Sequence, residues 1–272
     1  MIRRGLTFVE LLLVMVIVSS LIAISLPTLV SVRNHAQSAV CMQNVRTLSL
    51  AWLMYKDYNN DRIVGGMAGD KCSDWVRLPA DGSDDMTEAE LDGIQRGALF
   101  PYTAGSLGSY HCPADPRSPD PTKVTHRSYS IVGGANGEIW KDPYTQQEAY
   151  TPIERYSQFT MPSLKYIFIE EADPTETNRG SWVLDPRDGS WVDPLSIRHS
   201  GDRSTFGFAD GHVGTHRWVD ASTIEMSRRQ EFFFPVPATE GHDLRYMIDG
   251  FPQKPVPNEP ASSTASSGSN AS

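Results

Sequence analysis

Between Glu10 and Arg33 the chain carries twenty-two consecutive uncharged residues, and nothing else in its 272 residues constrains the fold as strongly. At a helical rise of about 1.5 Å per residue the stretch reaches roughly 33 Å, enough to cross a hydrocarbon core of about 30 Å. Arg3, Arg4 and the initiator amine precede it, which predicts a cytoplasmic N-terminus and an exported remainder. The expectation is therefore a single-pass membrane protein, with residues 6–32 as the transmembrane segment and an exported head, which in a diderm bacterium means an inner-membrane anchor and a periplasmic head. A secretory signal peptide is the competing reading, because SLIAISLPTLV offers small residues for cleavage. The run is long for one, however, and an acid within a bilayer costs about 2.5–3.5 kcal/mol, which marks Glu10 as functional and in need of a partner.

The net charge of −9 and the absence of any Lys/Arg block argue against a nucleic-acid footprint. From Arg33 to Tyr58 there is no Gly or Pro, and Cys41, Val45, Leu48, Trp52 and Tyr55 recur at one face of a helix. Residues 33–59 are thus an amphipathic continuation of the first helix. Residues 60–252 are rich in Gly, Pro, Asp and Trp with short apolar runs, and form the α+β head. The best strands are YIFIEEA (Tyr166 to Ala172) and STFGFADGHVGTHRWV (Ser204 to Val219), the second with Asp210-Gly211 as a tight-turn signal. Residues 253–272 hold Pro, Ser and Asn with almost no apolar content and are expected to be disordered. Pro27 lacks an amide hydrogen, so a kink or local melting is expected from Ser25 to Pro27.

The opening RRGLTFVELL resembles the leader of type IV pilins and type II secretion pseudopilins. Carried over, residues 1–5 are a leader, a prepilin peptidase cuts between Gly5 and Leu6, and the new amine of Leu6 is methylated. Glu10 then pairs with the amine of a neighbouring subunit and sets the register of assembly. Removing one member of such a pair costs about 3–5 kcal/mol in a low-dielectric bundle. Leu6 departs from the Phe usual in that family. The implied fold is α+β and pilin-like: a long N-terminal helix, its first half membrane-spanning, packed on an antiparallel sheet with long loops. The implied partners are identical or related subunits, the peptidase, an assembly platform, the membrane and a separate ATPase. The implied role is structural, in a pseudopilus or pilus-like filament.

The segment RHSGDRSTFGFADGHV resembles the His-to-Asp-Gly head signature of a large pilin-like family of Planctomycetes, Verrucomicrobia and relatives. It supplies His199, Asp210 and Gly211 as a turn motif, with one residue more than the usual spacing. CMQNVRTL and YHCPAD resemble two further landmarks of that family. Three cysteines permit one disulfide and a leftover thiol. Cys72 and Cys112 both lie in loop sequence, whereas the resemblance favours Cys41 with Cys112, and Cys41 on an apolar face equally suits a buried free thiol.

His212 and His216 on a strand stand about 13 Å apart and cannot share an ion; only a cross-strand pair, such as His199 with His212 or Asp210, could, and a structural hydrogen-bonded turn is the preferred reading, so no metal is assigned there. DYNNDR opens like a calcium loop but has Arg62 and Ala68 where Gly and Glu are required. Major pseudopilins hold calcium in an acidic head loop, which makes Asp173, Asp185 and Asp188 calcium candidates among the acids Glu170, Glu171 and Asp193. No other cofactor is expected. The chain lacks a Walker loop, a Gly-x-Ser-x-Gly elbow and an HExxH helix, so no enzyme activity is assigned. The alternative is a membrane-tethered periplasmic enzyme or ligand-binding head using His199, Asp210 and His212.

Overall fold

A computed structural model describes residues 7–80, 83–117, 120–175, 179–187 and 190–253, with the side chains of 24–28 and 30 outside that description. The first element, α1, runs from Phe8 to Tyr58. Its start is set by Thr7, whose hydroxyl accepts from the Glu10 amide while the Glu10 carboxylate accepts from the Thr7 amide at 2.8 Å. This is a capping box, which satisfies two donors that a helix start otherwise leaves open. The helix passes through Pro27 as one element. The periodic residues Cys41, Val45, Leu48 and Trp52 are fully buried and Tyr55 nearly so.

Beyond α1 come β1 (Gly65–Gly69), β2 (Asp74–Arg77), α2 (Met86–Gln95), β3 (Tyr129–Val132), β4 (Tyr166–Glu170), β5 (Ser181–Trp182), β6 (Arg203–Phe208), β7 (Val213–Arg217), α3 (Ala221–Arg229) and α4 (His242–Gly250). β1 and β2 form a parallel pair, and the main sheet has the order β5-β3-β4-β6-β7. One face of this sheet receives the second half of α1. Gly207 lies under the helix, where a Cβ would collide with Ser49 Oγ and meet Val45 Cγ1 at 2.9 Å. The opposite face carries Phe206, which meets Trp218 and Tyr246. Covered on both sides, β4 is buried at every residue.

The expected fold class is corrected in two respects. Among the described residues no helix is long and apolar enough to cross a membrane. That overturns the membrane-spanning first half of the helix, and with it the pilin-like assignment in its expected form and the single-pass inner-membrane location with a periplasmic head. Within the first half of α1, Ser19 and Ser20 turn their hydroxyls back to the carbonyls of Val16 and Ile17 at 3.0 and 2.7 Å. Secondly, the sheet is mixed, because β5 pairs with β3 in parallel. The chain leaves β4, passes β3 and returns on its far side running against β4, which makes β5 parallel to β3.

Candidate metal centre

Cys41, Cys112, Glu170 and His199 converge in the core, all four buried, with their donor atoms within 4.8 Å of one another. Each is delivered by a different element. Cys41 comes from the buried stripe of α1. Cys112 lies in the loop after a 3-10 turn at Leu107–Tyr110, and this loop is held to α1 by two side-chain amides. Asn44 Nδ2 donates to His111 O at 2.8 Å and Gln37 Nε2 donates to Pro113 O at 2.7 Å. Glu170 ends β4, opposite Tyr129 of β3. His199 opens a tight turn in which Ser200 and Gly201 both have positive φ and Asp202 N donates back to His199 O. Two successive residues at positive φ give the turn that suits a following right-twisted strand, here β6.

Within the cluster the Cys41 thiol donates to Glu170 Oε1 at 2.8 Å, and His199 Nε2 lies 2.9 Å from the same oxygen. Cys112 Sγ is 3.7 Å from His199 Nε2, and Tyr129 OH donates to Cys41 Sγ at 3.1 Å. Glu170 Oε2 is buried and has no hydrogen-bond partner. Burial pushes the Cys41 thiol up, and Cys112 and Glu170 act in the same direction. The hydrogen bond from Cys41 lowers Cys112, and His199 adds to it. Burial alone would lower His199, but Cys112 and Glu170 outweigh it and raise the imidazole. A thiolate beside an imidazolium is a nucleophilic pair where substrate can reach it. Here Cys112 is 0% and His199 2% exposed, so the arrangement suits holding a metal ion and gives a substrate no approach.

The other singled-out residues fall elsewhere. Gly5, Leu6 and Asp188 lie outside the described residues. Glu10 closes the capping box on Thr7. Asp210 does not join His199: it accepts from His212 N at 3.1 Å and pairs with His212 Nδ1 at 2.6 Å in the β6–β7 turn, where Gly211 has φ +88°. The six residues of β6 put roughly 20 Å of strand between the two groups. His216 stacks on Tyr246 at 3.8 Å between ring centroids. Cys41 and Cys112, the pair the resemblance joined as a disulfide, lie close together and both are free thiols here, as is the exposed Cys72. Asp173 stands 3.8 Å from Arg117, and Asp185 pairs with Arg187 at 2.9 Å. Asp173 shares a cavity of about 330 Å³ with Glu138, Glu171 and Asp193, whereas Asp185 does not line it.

Sequence reasoning grouped Glu170 with the acids of a loop and so missed its place in the cluster. The available signal was alternation: Phe168 and Glu170 share the face of β4 that meets α1, as do Tyr129 and Ile131 of β3 opposite them. Compared with protein-family models, curated proteins and solved structures, the chain finds no match in any of the three.

Proposed function

We propose that this chain is a structural subunit of a type II secretion pseudopilus or type IV pilus-like filament, assembled by packing the N-terminal half of α1 against the same segment of other copies. In this reading a prepilin peptidase first removes residues 1–5 and methylates Leu6. The Glu10 carboxylate then pairs with the Leu6 amine of a neighbour, and an assembly platform with a separate ATPase drives insertion. The observation that carries the reading is the uncovered apolar surface of α1. Phe8 is 73%, Leu13 60%, Val16 64% and Leu21 60% exposed, on different sides of the helix. A helix apolar all round is buried in its working state, and copies of the same helix provide matching cover. Glu10, held in shape by Thr7 at the start of this helix, is the acid this reading pairs with a neighbour's amine.

A calcium ion at the acidic loops does not enter this reading, since Asp173 and Asp185 each face an arginine. The test is intact-mass measurement and N-terminal sequencing of the protein isolated from the cells that make it. A chain beginning at N-methyl-Leu6 is the expected result. A chain still beginning at Met1 overturns the reading.

A further inference from the structure

We propose that Cys41, Cys112, Glu170 and His199 form a tetrahedral zinc site that pins α1 to the head at the point where the helix leaves it. The inference is independent of filament assembly. Its first support is the donor set. Two thiolates, one imidazole and one carboxylate are ligands of a borderline-soft ion, whereas calcium and magnesium take oxygen shells. Its second support is convergence from four separate elements onto one buried point, with all four donor atoms within 4.8 Å of one another. The third is Glu170 Oε2, a buried carboxylate oxygen with no hydrogen-bond partner, in a residue that is 1% exposed. An oxygen shut away without a donor costs free energy, and a cation bound to this carboxylate offsets the cost of its buried charge.

One distance already matches a tetrahedral edge, and two must widen. Zn–S near 2.3 Å and Zn–N near 2.0–2.1 Å in a tetrahedron separate sulfur and nitrogen by about 3.6 Å, and Cys112 Sγ stands 3.7 Å from His199 Nε2. The two contacts of Glu170 Oε1, at 2.8 Å to Cys41 and 2.9 Å to His199, are hydrogen-bond lengths. Zinc replaces the protons in those contacts and widens the edges to about 3.3–3.5 Å. Two protons leave to solvent as Cys41 becomes a thiolate and the Cys112–His199 pair loses its shared proton. Four bonds form to the metal, and no oxidant or reductant is needed. Tyr129 OH, 3.1 Å from Cys41 Sγ, donates to the resulting thiolate and orients it, the outer-shell role that metal ligands usually receive.

The experiment uses the full chain, kept in mild detergent to cover the apolar helix, with Co(II) as the probe and elemental analysis for zinc as isolated. The expected results are one tightly held zinc per chain and, on cobalt exchange, visible bands of tetrahedral Co(II) with a near-ultraviolet thiolate charge-transfer band. Cys112→Ser and His199→Ala should weaken metal binding by more than the roughly 10–100-fold that outer-shell losses produce. Tyr129→Phe should fall within that range, and Cys72→Ser should leave spectrum and stoichiometry unchanged. Should the ligand variants fail to fold, the cobalt spectrum of the unaltered chain decides alone. A spectrum without thiolate bands overturns the proposal. So does an intact mass two hydrogens lighter with Cys41 and Cys112 joined, which would make the pair a disulfide.

Discussion

Arg198 Nη2 stands 2.9 Å from Asp115 Oδ2 with both side chains shut away from solvent. The same oxygen accepts from Arg117 Nη2 at 2.8 Å and from Ser128 Oγ at 2.7 Å. Burial by itself would push this carboxyl up, but the two guanidiniums overcome it and hold the pKa at about 2. The unfolded value is near 3.9, so the folded state binds the proton more weakly. The stabilisation, about 2–3 kcal/mol by linkage, is fully present above pH 4 and is lost as pH falls from 4 through 2. Asp115→Asn should flatten that part of the stability–pH curve. At neutral pH it should cost about 3–5 kcal/mol, because buried Arg198 loses its counter-ion and Arg117 keeps only Asp173 at 3.8 Å. Urea unfolding at a series of pH values checks both.

Gly207 and Ser49 make a second close contact, between β6 and α1. Gly207→Ala should force the helix away from the sheet and destabilise the head by about 1–3 kcal/mol. Gly214→Ala in β7 is the control, since the nearest atom to a Cβ there is Phe208 Cε2 at 3.5 Å. Thermal unfolding should separate the two variants, and equal effects would remove helix–sheet approach as the reason.

The first turn of α1 separates two roles of Glu10. Glu10→Gln keeps an acceptor for the Thr7 amide, since Gln also completes a capping box, but abolishes the charge. Helix content and amide protection at Leu11 should be unchanged while filament assembly falls. Thr7→Ala should do the reverse, opening the first turn at a cost of about 0.5–2 kcal/mol. Hydrogen exchange reads the helix and electron microscopy reads the filaments.

On the far side of the sheet, Trp218 Nε1 donates to Ser204 Oγ at 2.8 Å, and that hydroxyl donates on to Ser196 O at 2.6 Å. Trp218→Phe removes the first donor from a buried chain and leaves a gap beside Phe206. A loss of about 1–3 kcal/mol is expected, with Ser196→Ala near neutral because only its backbone carbonyl is used. Paired denaturation curves test the contrast.

How much of this was legible in the sequence depended on how local each signal is. The stripe from Cys41 to Tyr55 was readable because an unbroken helix repeats its buried face every three or four residues. The β6–β7 turn was readable because Asp210-Gly211 carries the chemistry of a tight turn in two residues. Glu170 was not, because an acid beside a second acid reads as solvated until the sheet shows which of its faces meets α1. β5 was invisible: two residues have no period, and their parallel sense is set only once the fold places them beside β3.

The edges of the main sheet bear on how such chains behave when crowded. One edge is β5, only two residues long. The other is β7, which ends in exposed Arg217, paired with Asp202 at 2.7 Å. Short or charged borders make poor templates for a strand from another molecule. Heads brought side by side at high local concentration therefore have little means of zipping together through their backbones. Growth in an unlimited, disordered direction by strand addition at these edges is disfavoured.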